Sequence, residues 1–190
     1  MNYCNTSKLS IRQIDKPTAK KMVIKYHYSQ LWTKCSVALG LFTETGKEHS
    51  FFDEAEEKMI GVCVYGDPIG RLTGQSISDE IDRTEVLELT RLFIHDGYGS
   101  NIESWFISQS FNWLKKNMPE IKALISYASP VEGHCGTIYQ ATNWICHRYV
   151  YILAGKRYKK KIMKSLKHDT LPYPKQSDIE HTEELRLEPI

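Results

Sequence analysis

EVLELTRLFIHDGYGSNIES, residues 85–104, reads as a strand, a glycine turn and the start of a helix, and the rest of the chain is organised around it. In the first half the strand period of two puts Leu87, Leu89, Arg91 and Phe93 on one face. Arg91 is the odd member of that apolar row. A guanidinium cannot shed its charge, and burying it alone is costly, so it calls for a carboxylate, with Glu88 and Glu85 nearby, or for an anionic ligand. Gly97 and Gly99 then supply a turn, and Ser100-x-x-Glu103 has the spacing of a capping box. The helix it would open runs to about residue 117. Its Ile102, Trp105, Phe106, Phe111, Trp113 and Leu114 make a wide apolar surface, which predicts a helix lying flat on a sheet. The first N–H groups of such a helix are unpaired and sit at the positive end of its dipole, so residues 97–104 can hold a phosphate or pyrophosphate.

The flanking sequence extends the same pattern. Asp15, Pro17 and the spacing of Ala19, Met22, Val23 and Tyr26 predict a capped helix ending near residues 27–29. Residues 36–43 and 59–65 predict two antiparallel strands, and residues 66–78, carrying Gly66, Pro68, Gly70 and Gly74, a loop beside the site. Further strands are expected over 123–128 and 144–154, with a short helix over 137–142 between them. This order predicts an α/β protein with a mixed, mostly antiparallel central sheet flanked by helices.

A chain of 190 residues with 41% hydrophobic and 25% charged residues suits a single folded domain, expected over residues 1–165, with a polar tail over 166–190. No apolar run is long enough to span a bilayer and the N-terminus lacks a signal-peptide core, which together predict a cytoplasmic protein with no membrane partner. Five cysteines at irregular spacing read as free thiols. Formal charge of +2 is too small to announce a nucleic-acid partner, so attention falls on local patches. One stands out: Lys156, Arg157, Lys159, Lys160 and Lys161, with Tyr158 interleaved, suit a phosphate backbone or simply a solvated face.

His27, Tyr28, Tyr127, His134 and Tyr139 are of the right kind for proton transfer or metal ligation, although scattered in sequence. There is no GxSxG elbow, P-loop, HExxH or paired zinc motif, which removes the hydrolase, kinase and zincin readings.

Four stretches together resemble the Mom family of phage DNA-modification proteins: KYHYS (residues 25–29), ELTRLFI (88–94), SFNWLKK (110–116) and ISYASPVEGHCGTIYQATNW (125–144). The resemblance implies a GNAT-like acyltransferase fold in which a central strand splays from its neighbour to admit acetyl-CoA or a related acyl-CoA. The cofactor would follow Phe93 and Ile94 to Gly97, Gly99, Ser100 and Ser104. It implies a substrate, adenine N6 in double-stranded DNA, and a product, a methylcarbamoyl-type group that shields phage DNA from host restriction. Positions matching the family's functional residues are His27, Tyr28, Arg91, Ser104 and Tyr139, with Tyr28, Arg91 and Tyr139 as the catalytic set. Some members are thought to bind iron through His, Tyr and an Asp. Here the ligands would be His27, Tyr28 and Tyr139, while Ser129 stands where the family has Asp, and Glu132 or Asp96 would have to substitute. A flipped adenine would stack on an aromatic such as Trp32 or Tyr65. A homodimer is compatible with this reading. Two other readings share parts of it: an N-acetyltransferase for a small amine or a protein, and a nonenzymatic DNA-binding accessory protein.

Overall fold

The computed structural model describes residues 6–44, 57–128, 136–145 and 149–175. Six strands form one sheet in sequence order: β1 (Leu9–Ile14), β2 (Val37–Glu44), β3 (Glu57–Gly66), β4 (Val86–Ile94), β5 (Ala123–Ile125) and β6 (Val150–Ile152). Every neighbouring pair is antiparallel except β4–β5. A parallel pair needs a crossover, and α3 (Ile102–Asn117) provides it. The mixed, mostly antiparallel α/β architecture is therefore present.

Helix α1 (Lys16–Tyr26) starts where the sequence predicts, with the Asp15 carboxylate accepting the Thr18 N–H at 2.8 Å and holding Asp15 below the usual carboxylate range. Its Ala19, Met22 and Val23 pack on Ala38, Val62 and Val64. On the opposite face, α3 and the short α4 (Thr137–Ala141) cover Leu39, Leu41, Cys63, Tyr65, Leu87, Leu89 and Leu124. Phe106, Ile107 and Leu114 of α3 have no exposed surface, and each such side chain contributes about 1.5–3 kcal/mol by burial. Helices α2 (Thr73–Ile77) and α5 (Lys156–Lys164) cover the β4–β6 end of the α1 face, through Ile77, Tyr158 and Ile162.

Several expectations shift. Strand β1 has no counterpart in the sequence reading; it is a short edge strand whose burial alternates, so its residues carry little apolar signal. The strand expected over 123–128 stops at Ile125, and the one over 144–154 is reduced to β6 and an Ile145–Val150 bridge. The predicted 66–78 loop contains α2. The basic run after residue 155 is helical, and the tail continues past 165: Lys167 N–H donates to the Ile77 carbonyl, the Tyr173 hydroxyl to the Trp144 carbonyl and the Gln140 amide to the Pro174 carbonyl. Among the described residues no helix is long and apolar enough to cross a membrane.

Candidate active site

Two irregularities in β4 build the site. The first is a bulge. Val64 faces Arg91 and Tyr65 faces Leu89, so Thr90 is an extra residue, held by its Oγ1 donating to the Val64 carbonyl at 3.1 Å. It reverses the alternation that a plain period of two predicts. Leu87 and Leu89 face α3, but beyond Thr90 it is Leu92 and Ile94 that do so. Arg91 and Phe93 face α1, in register with Val64 and Val62. Arg91 therefore does not share the Leu87 and Leu89 face, and it is half-buried rather than sealed in the core.

The second irregularity is a splay. Parallel pairing ends at Glu88–Ile125, while β4 continues six residues further to Ile94. At the fork, Ser126 ties the strands: its N–H donates to the Tyr149 carbonyl at 2.9 Å and its Oγ reaches the Leu89 carbonyl at 3.1 Å. Ser126 Oγ also lies 2.7 Å from the Tyr139 hydroxyl, which sets that phenol beside the fork. Gly136 explains why the GTIYQ segment can bring Tyr139 there: it caps α4 at φ +73°, and a Cβ would come within 2.2 Å of the Tyr149 hydroxyl.

At the far end of β4, Gly97 and Gly99 adopt φ +94° and +98°. A Cβ at Gly97 would meet nothing within 4 Å, so glycine serves its backbone conformation and leaves open space above the loop. The expected Ser100–Glu103 capping box is absent. Asn101, at φ +66°, is the N-cap, and Ser104 Oγ donates back to the Asn101 carbonyl at 3.0 Å. Without a side-chain cap the first N–H groups of α3 remain available to an anion. Phe93 and Ile94 lead to this loop. Phe93 stacks on Tyr26 at 5.7 Å, and His95 packs edge-on to both.

Arg91 Nε donates to the Leu31 carbonyl at 3.0 Å and one terminal nitrogen to the Thr90 carbonyl at 2.6 Å. Neither expected acid forms an ion pair with it: Glu85 pairs with Lys122. Glu88 lies on the Arg91 face close enough to couple electrostatically. Burial pushes its carboxyl up, and the Arg91 charge draws it part of the way back. The sequence suggests Glu88 only as a counter-charge, yet it stands on the floor of the opening. A Glu at an alternate position in an otherwise apolar strand is its signal.

His27 caps α1 and is buried. Its Nδ1 accepts the Ser29 N–H at 3.1 Å and lies 2.9 Å from Ser29 Oγ, which leaves the ring proton on Nε2. The Tyr28 ring lies 4.3 Å from it, largely exposed. The Tyr139 phenol is pushed up to about 12, mainly by burial, and feels the Tyr28 and Glu88 charges as well. Glu88 is thus near enough to couple with the charges of both Arg91 and Tyr139, and Tyr139 with Tyr28, around the point where β5 leaves β4.

The iron set is not supported. His27 Nδ1 and the Tyr139 oxygen are committed to hydrogen bonds within the protein, and Asp96 is exposed at the glycine-loop end of β4. Among the described residues no three His, Cys, Asp or Glu side chains cluster. Ser129, Glu132 and His134 lie outside the described residues. Tyr65 cannot stack on a base, because it is fully buried with its hydroxyl 2.6 Å from Ser110 Oγ. Trp32 is half-buried against the cluster that α1 forms with Ala38, Val62 and Val64.

The basic residues do not join this opening. Tyr158 of α5 accepts from Lys122 Nζ at 2.9 Å and donates to the Glu80 carbonyl, at the starts of β4 and β5, the opposite end from the fork. Lys161 is paired with Glu80, whereas Lys156, Arg157, Lys159 and Lys160 line the exposed side of α5.

A mixed sheet whose central parallel pair opens into a cleft, with an uncapped helix at its far end, is the architecture of the GNAT acetyltransferases. The solved spermidine/spermine N-acetyltransferase SpeG from Vibrio cholerae, in complex with manganese ions, superposes on 82% of this chain and 98% of its own, with a TM-score of 0.50 and 9% sequence identity. Within that fold the sequence is specific: the Mom protein family matches over residues 8–146, and the chain belongs to that family. The methylcarbamoylase mom of Escherichia phage Mu is 26% identical over 140 residues, 73% of this chain and 53% of the phage Mu protein. The chain thus matches about half the length of that curated relative, and α5 lies beyond the family match.

Proposed function

We propose that this chain is a DNA-modifying transferase that moves the acyl group of an acyl-CoA intact to adenine N6 of double-stranded DNA and so shields phage DNA from restriction. N6 bonds to the acyl carbon, the thioester C–S bond breaks and CoA leaves as its thiol. Acetyl-CoA would thus give an acetyl group, and a methylcarbamoyl group would need the methylcarbamoyl thioester as donor. The observation that carries the reading is the fork at Ser126, where β5 leaves β4, Tyr139 stands beside Ser126 and Glu88 couples with the charges of Arg91 and Tyr139, next to the β4 edge that β5 no longer covers. Family membership supports DNA modification, the methylcarbamoylase relative supports transfer of a small carbonyl group, and the acetyltransferase fold supports the donor.

The residues fit an acyl-CoA. The free edge of β4 through Phe93 and Ile94 would run beside its pantetheine, and Gly97, Gly99, Ser100 and the first turn of α3 with Ser104 would take its pyrophosphate. A CoA thioester supplies an activated acyl carbon when bound. The N6 lone pair of adenine is delocalised into the ring, so the amine needs a base as it attacks. Glu88, with its carboxyl raised by burial, is placed to accept that proton. Tyr139 stays protonated far above neutral pH, so it serves as hydrogen-bond donor or acid and not as base. Arg91 is positioned to stabilise negative charge, its carbonyl contacts fixing the guanidinium. Tyr28, exposed beside the opening, would contact the extruded base. Lys156, Arg157, Lys159, Lys160 and Lys161 would follow the duplex backbone. The Lys122 to Ser126 span is about 13 Å at strand rise, less than a duplex width, so one duplex can lie across both.

The test is mass spectrometry of nucleosides from plasmid DNA in cells expressing wild type or Arg91→Ala. A heavier deoxyadenosine with wild type alone is expected, and its mass names the group. Unmodified deoxyadenosine in both samples, with an acetylated small amine or protein in its place, would move the assignment to an ordinary N-acetyltransferase.

A further inference from the structure

The loop between β3 and α2 presents two large aliphatic side chains to solvent: Ile69 is 86% and Leu72 67% exposed. Single exposed apolar residues are ordinary, but this pair stands on a braced tip. Ser36 Oγ donates to Asp67 at 2.9 Å, Pro68 is buried, and Thr73 Oγ1 and N–H both return to the Gly70 carbonyl, at 2.8 and 3.3 Å. Neither side chain can fold back into the core without breaking that brace. The loop leaves β3 at Gly66, which pairs with Glu88, and enters α2 over the β4–β6 end of the same face. It therefore stands beside the Glu88 end of the sheet face that carries Glu88 and Arg91. Leu31, 65% exposed, borders the other side, its carbonyl held by Arg91.

The charge around the tip selects the partner. Arg71 stands between Ile69 and Leu72, exposed Lys34 lies in the segment beside Gly66, and α5, which packs with α2 over the same face, carries exposed Lys156, Arg157 and Lys160. An apolar wedge flanked by cations fits an anionic polymer with an apolar interior. That describes duplex DNA, whose stacked bases lie between phosphate chains. We infer that Ile69 and Leu72 enter the base stack at the step the target adenine leaves, with Arg71 on the adjoining phosphate. The inference rests on the proposed DNA modification and adds how the base is reached: the wedge occupies the gap and holds the duplex open while the adenine lies in the cleft.

A wedge unwinds DNA whatever its sequence, so closed-circular plasmid relaxed by a topoisomerase in the presence of the full-length protein is the probe, with binding followed separately by anisotropy of a fluorescein-labelled duplex. Wild type is expected to lower the linking number in proportion to protein bound. The Ile69→Ser/Leu72→Ser variant is expected to bind within about threefold of wild type, since phosphate contacts dominate affinity, and to leave the linking number unchanged. Wild type that binds without altering the linking number overturns the wedge while leaving DNA modification standing, since the modified nucleoside would still form. A variant that unwinds as wild type does also overturns it. Failure of wild type to bind duplex at all overturns the wedge and the proposed substrate together.

Discussion

Tyr139 is the residue whose chemistry is most constrained. Its hydroxyl hydrogen-bonds Ser126 Oγ at 2.7 Å, and burial keeps its own proton in place to about pH 12. Tyr139→Phe removes a donor from the fork while keeping the ring against Trp144 and Tyr149. The expected result is a loss of about 10²-fold in DNA modification, the usual scale for one positioned proton donor. Stability should fall by only about 1 kcal/mol for the missing hydrogen bond. Nucleoside mass spectrometry and thermal melting measure the two effects. Full activity in Tyr139→Phe would remove it from the chemistry.

The same residues show how far side-chain types can be read from sequence. Arg91 and Tyr139 are conspicuous because a guanidinium in an apolar strand and a phenol in a glycine-led turn need a reason. The face Arg91 takes is not legible. It depends on one extra residue, Thr90, whose bulge is fixed by the partner strand and not by any local propensity. Glu88 escapes a sequence reading for the related reason that its role comes from a neighbour ending: β5 stops at Ile125, which opens the space above it.

Among the elements, the turn into α3 is the one most open to test. At φ +94° an alanine in place of Gly97 meets no neighbouring atom but strains the backbone by about 1–2 kcal/mol. Gly97→Ala should therefore weaken CoA binding, measured by calorimetry, by about tenfold as the strained turn shifts its N–H groups. It should lower the melting temperature by only a few degrees. Unchanged CoA affinity would mean that the turn does not hold the phosphates. Helix α3 and the strands around it are legible as elements because their apolar periodicity is strong. Strand β1, at an edge, and α5, nearly all charged on its exposed side, are not, because tertiary packing and not pattern decides them.

For the whole molecule, the core carries its own pH limit. Burial pushes Cys63 up from 9.0 to about 12 and Tyr139 from 10.0 to about 12, and drives Tyr65 well above 10.0. Each group keeps its proton in the fold after the unfolded chain has given it up. Stability is therefore intact below pH 9 and declines as pH rises from there, with each group adding a slope approaching about 1.4 kcal/mol per pH unit. Denaturant titrations across this range should show the onset near pH 9, and Cys63→Ala should make the decline between pH 9 and 10 shallower, leaving there the smaller contribution of half-buried Cys35, before the tyrosines begin. A flat profile to pH 11 would contradict the buried assignment of these groups.

The molecule's charge distribution separates binding from structure in the same helix. Lys161 is engaged with Glu80, whereas Lys160 faces solvent and Lys159, also exposed, makes only a 5.6 Å contact with the Tyr151 ring. Lys159→Glu/Lys160→Glu should reduce the salt dependence of duplex binding by about 0.9 in log–log slope for each phosphate no longer neutralised. Lys161→Ala should change the melting temperature slightly and the slope little. Equal slopes for wild type and the double variant would place the duplex elsewhere on the surface.

The central claim is that one fork joins an acyl donor to adenine in DNA. Its most direct test is to incubate the purified full-length protein with carbon-13-labelled acetyl-CoA and unmodified plasmid, digest the DNA and weigh its nucleosides. With wild type, and not with Arg91→Ala or Tyr139→Phe, the label is expected in a deoxyadenosine heavier by one acetyl group, with release of free CoA thiol. A modified deoxyadenosine free of label would contradict the acyl-CoA donor, and label appearing only on added amines, with deoxyadenosine unchanged, would contradict DNA as the substrate.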